Sequence, residues 1–298
     1  IQQHHSVLAD CISHRMDELK KIGDRITVLR DGKNVATLNM TDADEETLIS
    51  LMTGRSFEAI FPKIESTLGP PVLEVENLST MKGLHEVSFT VHAGEIVGLA
   101  GLVGSGKYRV ARALFGLDRI TFGKVKLFGE KLTEFTPASS IKRGMMYFPA
   151  DRHKEGLALC RSVKENLTLP TVPLFEHFGL IQLRRENFES LRIINKMSVR
   201  PNRIENTIAY LSGGNQQKVM LSRGLTREIK VFLFDEASCG IDIGAKREVY
   251  LFLKEQVEAG AAVLLISSEL PEILHLSHTV VVMYGGSVSK VLSGKDAT

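Results

Sequence analysis

The chain has 298 residues, 43% of them apolar and 24% charged, with a formal net charge of +2. That length allows one large domain or two of unequal size, and the composition is that of a globular protein with a real core. The charge is too small to indicate a nucleic-acid partner, the three cysteines (Cys11, Cys160, Cys239) lack metal-site spacing, and no apolar run is long enough to span a bilayer.

The chain opens at Ile1 without Met or a signal pattern, which reads as a fragment or a trimmed start, and its separated thiols read as reduced and cytosolic. An ungapped internal repeat comes next. Residues 12–32 align on 266–286 at a constant offset of 254 positions, with Ile12/Ile266, Ser13/Ser267, Glu18/Glu272, Val28/Val282 and Gly32/Gly286 identical. Both copies read as strand end, short helix, strand and glycine turn. Residues 1–61 therefore read as the C-terminal tail of a first domain, 62–71 as a linker rich in turn formers, and 72–298 as a complete second copy. Within the tail, Thr41 and the acids after it predict a capped helix that closes at Gly54.

In the second copy, residues 72–78 and 85–91 alternate apolar and polar side chains, as half-buried strands do, and 124–128 reads as another strand. Residues 95–100 form a short apolar run, a buried strand, and 144–156 read as a strand entering a charged loop. A helical subdomain is expected over about 151–211. Within it, Phe188, Leu191, Ile194 and Met197 fall at helical spacing and predict an apolar stripe. The continuous apolar runs at 231–235 and 261–267 predict strands covered on both faces. The fold class is α/β, with a mostly parallel sheet core, an antiparallel β subdomain and a helical subdomain.

Three stretches carry chemistry. Gly101, Leu102, Val103, Gly104, Ser105, Gly106 and Lys107 stand between a strand and a helix, the P-loop pattern that cradles phosphates with backbone N–H groups and a lysine. Tyr108 stands where a Ser or Thr hydroxyl should hold Mg²⁺, and a phenol with a pKa of about 10 is a poor, oversized ligand. Asp235 and Glu236 end an apolar strand downstream, the Walker-B pattern, where Asp235 would hold a metal-bound water and Glu236 would polarise the attacking water. Taken alone, these acids could equally be a solvated strand end. Leu211, Ser212, Gly213, Gly214 and Gln216 place Ser-Gly-Gly at the opening of a helix, either a second anion site or only a turn and an N-cap.

With those motifs in order, the chain resembles the ATP-binding subunit of an ABC transporter of the P-loop NTPase class, in which Leu-Ser-Gly-Gly-x-Gln is the signature. Residues 215–218, 240–246 and 266–272 are similar to the carbohydrate-importer branch, in which two ATP-binding domains share one polypeptide. The resemblance implies ATP and Mg²⁺ as cofactors, and ATP held between the P-loop of one domain and the signature of a second ATP-binding domain or subunit. It also implies peripheral attachment at the cytoplasmic face of the inner membrane, through transmembrane permease subunits that a periplasmic sugar-binding protein supplies. On the same grounds Asp242 matches the D-loop aspartate, and His14 the switch histidine of the first domain. The switch position of the second copy is Ser268, the Q-loop position is Ala150, and Cys239 replaces the usual Arg. No aromatic residue stands clearly at the adenine-stacking position near 78–84.

Three readings remain open at this point. One is an ATPase subunit energising monosaccharide import, with a degenerate site of its own at Tyr108, Ala150 and Ser268. The second is a catalytically inactive nucleotide-binding or regulatory partner. The third keeps the transporter and changes the cargo to nucleosides or another small polar solute.

Overall fold

The computed structural model describes residues 16–30, 32–54 and 60–296. The chain divides into two compact units, Ile1–Ile60 and Phe61–Thr298.

In the first unit, helix α1 (Met16–Ile22) leads into strands β1 (Arg25–Arg30) and β2 (Lys33–Asn39), an antiparallel pair, then a 3₁₀ turn at Met40–Asp42 and helix α2 (Glu45–Thr53). Ile26, Val28, Ala43 and Leu48 form its core. The helix start is Asp44, not Thr41. Its carboxylate accepts from the Thr47 N–H at 2.6 Å, while Thr41 lies in the preceding turn. Gly54 closes the helix with φ 70°, the left-handed conformation glycine adopts freely.

The second unit opens with β3 (Pro71–Thr80), β4 (Leu84–His92), β5 (Ile96–Ala100), α3 (Lys107–Phe115), β6 (Ile120–Leu127), β7 (Glu130–Lys131), α4 (Pro137–Lys142) and β8 (Met145–Phe148). Helix α5 (Val163–Thr168), the short hairpin β9 (Glu176–His177) and β10 (Leu180–Ile181), α6 (Leu183–Lys196) and α7 (Gly213–Ser222) make the helical part. The chain returns through β11 (Val231–Asp235), α8 (Ile243–Glu258), β12 (Ala262–Ile266), α9 (Leu270–Leu276), β13 (Thr279–Tyr284) and β14 (Ser287–Ser293).

Two sheets result. One is antiparallel, in the order β4-β3-β6-β7. The other runs β14-β13-β5-β12-β11-β8, parallel except at its β14 edge. Every residue of β11 and β12 is buried, which is why both strands are uninterrupted apolar runs. Parallel strands all deliver their C-terminal ends to one rim, and loops there form the usual crevice of such a sheet. In this chain the loops after β5, β8, β11 and β12 meet at that rim.

The repeat extends to four successive elements. Elements α1, β1, β2 and the Met40–Asp42 turn match α9, β13, β14 and the Gly294–Asp296 turn end for end at the offset of 254. Even the register shift between Val28 and Leu29 recurs between Val282 and Met283.

One further expectation changes in part. Helix α6 buries Glu186, Ser190, Ile193 and Ile194, whereas Phe188 is 68% and Leu191 41% exposed. Of the predicted stripe only Ile194 is buried, and Glu186 turns inward to take a bond from the Thr168 hydroxyl at 2.7 Å. Residues 61–70, in the stretch read as a linker, are bonded to the rest of the second unit. The Lys63 carbonyl accepts from Lys254 (2.7 Å), the Glu65 N–H donates to Glu258 (2.9 Å), and the Ser66 hydroxyl donates to the Gly94 carbonyl (2.7 Å). Pro71 is already within β3.

Candidate functional site

The loop from Gly101 to Gly106 follows β5 and ends at α3, whose first residue is Lys107. Gly104 (φ 90°) and Gly106 (φ 89°) hold left-handed conformations, so the glycine spacing reflects a real backbone requirement. Lys107 is buried and donates to the Ser267 carbonyl at 2.7 Å and the Ser268 hydroxyl at 2.9 Å, with its Nζ 3.2 Å from Glu236 Oε1. Glu236 in turn accepts from the Ser268 N–H (2.9 Å) and hydroxyl (2.5 Å). A non-glycine residue with φ 49°, it occupies strained backbone of the kind that clusters at functional positions.

Asp235 completes the group. Its Oδ2 accepts from the Tyr147 hydroxyl at 2.8 Å, and its Oδ1 is buried without a partner. Burial pushes the carboxyl up to about 6, with the neighbouring Glu236 adding to the shift and the tyrosine bond opposing it. Burial, then Asp235, also pushes the Tyr147 phenol well above its ordinary value. Lys107, Tyr108, Tyr147, Asp151, Asp235 and Ser268 are among the residues lining one cavity of about 440 Å³. Arg112 also faces it and is paired with Glu155 at 2.6 Å.

Tyr108 is 42% exposed and its oxygen accepts from Arg109 Nε at 3.1 Å. Ala150 lines the same cavity and offers no side-chain donor. A magnesium ion needs several oxygen ligands in near-octahedral array. The free Asp235 Oδ1 suits such an ion, but positions 108 and 150 contribute nothing. The cavity thus lacks two of the ligands that the resemblance implies for magnesium, while keeping the Asp235 carboxylate.

The second predicted anion site lies elsewhere. Ser212 stands at the N-cap position of α7 without a side-chain bond to its N–H groups, its hydroxyl accepting from Asn215 Nδ2 at 2.9 Å, and Ser212, Gly213, Gly214, Asn215, Gly240 and Asp242 are among the residues around a separate cavity of about 370 Å³. Asp242 caps α8 by accepting from the Ala245 N–H at 3.0 Å. Leu211 and Gln216 are buried. Gln216 is turned inward: its Oε1 accepts from His153 Nε2 at 2.9 Å and Arg152 Nε at 3.5 Å, and its Nε2 donates to the Ile208 carbonyl at 3.2 Å. Cys239 is exposed, and partial burial followed by Glu236 raises its thiol. His14 lies outside the described residues.

Sequence reasoning missed Tyr147 and Arg112. The available signal was a single hydroxyl in the run Met-Met-Tyr-Phe, and its meaning depends on the register that pairs Tyr147 with Leu233, two residues before Asp235.

A family model described as "ABC transporter" matches residues 84–239. The ribose import ATP-binding protein RbsA of Bacillus subtilis is 40% identical over 288 residues, 96% of this chain and 58% of that protein. RbsA of Corynebacterium glutamicum is 41% identical over 287 residues, 96% of this chain and 55% of that protein. A putative ribose/galactose/methyl galactoside import ATP-binding protein of Rhizobium etli is 43% identical over 287 residues, with the same coverage. The chain thus spans little more than half the length of these relatives. Among solved structures, an ATP-binding cassette of an ABC transporter in its ADP conformation superposes with a TM-score of 0.64 at 20% identity, covering 76% of this chain and 93% of that one. An ATP-binding subunit of an ABC transporter gives 0.60 at 25% identity, covering 74% and 90%.

Proposed function

The chain belongs to the ABC transporter family, and from that premise we propose that it binds ATP as the energising subunit of a monosaccharide importer. The observation that carries this is the meeting of Lys107, Glu236, Ser268 and Asp235 at one rim of the sheet, beside the glycine loop. Lys107 and the N–H groups of the loop hold the phosphates, and Glu236 is the base. An Mg²⁺ beside them would meet the unpartnered Asp235 Oδ1 but no hydroxyl at position 108 and no side-chain ligand at position 150. Binding is therefore retained at this loop while turnover is slow.

Ser212, Gly213, Gly214 and Asp242 line the other cavity, where they complete the site of a second ATP-binding domain. End-for-end agreement of four closing elements at one offset supports residues 1–61 as the tail of a first domain of that kind, with residues 72–298 as the second. Among the described residues no helix is long and apolar enough to cross a membrane. The exposed apolar side chains Phe178, Leu180, Leu183 and Phe188 of the helical part offer a seat for membrane-embedded permease subunits at the cytoplasmic face, which a periplasmic binding protein supplies with sugar. The names of the relatives favour ribose or galactose as cargo.

Tyr108 and Ala150 favour a second reading, a nucleotide-binding partner without turnover of its own. ATP binding and phosphate release measured on this chain, alone and with a complete first domain, separate the two. Binding with restored release supports the first reading. Binding without release in either mixture leaves the second.

A further inference from the structure

Glu272 stands in the first turn of α9, away from the cavity of the glycine loop, and is 1% exposed. A carboxylate so deep in a protein is costly unless its oxygens are satisfied by donors. Three hydroxyls from three different elements supply them. Oε1 accepts from the hydroxyl of Ser238, two residues after Glu236, and from Tyr250 of α8 at 2.5 Å. Oε2 accepts from Ser267 at 2.7 Å, at the end of β12. Lys246 lies 3.8 Å from Oε1 and is itself paired with Glu269.

The consequence lies in what those hydroxyls belong to. Ser267 carries the carbonyl to which Lys107 donates, and it precedes Ser268, which grips Glu236 through both its N–H and its hydroxyl. Ser238 fixes the chain just after Glu236. One buried carboxylate therefore clamps both loops that shape the Lys107–Glu236–Ser268 cluster. The third donor reaches outward, since the Tyr250 ring is stacked at 5.1 Å on Phe61, where the second unit begins. In sequence, the Ser267/Glu272 pair recurs as Ser13 and Glu18 in the repeat.

We propose that Glu272 is a positioning residue for nucleotide binding, a buried clamp that sets the loops after β11 and β12 so that Lys107 and Glu236 are aligned to receive phosphate. This rests on reading residues 101–108 as the nucleotide loop. Burial and Glu269 raise the Glu272 carboxyl, opposed by the three hydroxyl bonds, so the charged form depends on those donors.

The test has two arms. ATP affinity by calorimetry should fall about tenfold in Glu272→Gln, the effect of losing one charge-assisted bond. Ser267→Ala should give part of that loss, and the double variant no more than Glu272→Gln alone, because one residue acts through the other. Amide hydrogen exchange should quicken about tenfold at 237–242 and 267–270 in both single variants while α6 keeps its rate. Independent, multiplying losses of affinity would overturn the proposal, and so would unchanged exchange in both loops. If Glu272→Gln does not fold, Ser238→Ala and Ser267→Ala, each losing one hydroxyl, decide it by the same two measurements. A wild-type chain that binds no ATP would defeat the reading of the loop, and exchange would still judge the clamp.

Discussion

Asp235 ends a strand with no exposed residue, and the loss of water there holds its carboxyl at about 6. The group binds its proton more tightly folded than unfolded. Its contribution to stability is full below about pH 4 and is lost as the pH rises through about 6. Asp235→Asn keeps an acceptor for Tyr147 and should remove the slope: in urea denaturation the wild type loses up to about 3 kcal/mol relative to the variant between pH 4 and 7. Position 108 gives a second prediction. Tyr108→Thr returns a small hydroxyl to the start of α3, and ATP affinity should become magnesium-dependent by about tenfold, read by titration with and without the ion. No change would mean that the phenol is not what limits metal binding. The glycine loop and the Asp-Glu pair were legible in sequence because their meaning is local, a matter of spacing beside a strand end. Tyr147 and Glu272 were not, because a hydroxyl in a strand and an acid in a helix acquire partners only through strand register and the packing of α9.

At the scale of elements, the apolar runs of β11 and β12 predicted buried parallel strands because a strand covered on both faces has no polar side to show. Helix α6 shows the limit of the same reasoning. It carries apolar residues on two faces, and periodicity cannot say which one the protein covers. The choice is made by Thr168, which draws Glu186 inward, and by Ile193 and Ile194, which fill the buried side. Ile193→Ala should therefore cost about 2–4 kcal/mol in chemical denaturation. Phe188→Ser should stay within about 0.5 kcal/mol. Equal costs at the two positions would return the helix to the face first expected. The strap at 61–70 has no regular structure, as its turn formers predict, yet it is bonded to the rest of the second unit. Turn formers mark a segment without regular structure, and its bonds to Lys254, Glu258 and Gly94 come from residues remote in sequence.

For the whole molecule, the decisive fact is that the glycine-loop cavity and the cavity at the start of α7 share no lining residue. A phosphate at Lys107 cannot also meet the N–H groups of Gly213 and Gly214 in the same copy, so under the proposed function each site would be half of a composite closed by a second ATP-binding domain. The helix start is suited to that task by its free N–H groups and by Arg152, whose guanidinium would lie 3.0 Å from a Cβ at Gly213. Gly213→Asp would place a fixed carboxylate where the incoming phosphate must sit, beside both attractions. ATP-dependent association with a complete first domain, followed by sedimentation velocity, should then weaken at least about tenfold, the effect of a like charge at an anion site. Gly213→Ser adds bulk without charge and should weaken association much less. Should the aspartate variant associate as tightly as the wild type, the start of α7 does not meet the phosphate of a facing domain, and the composite arrangement falls.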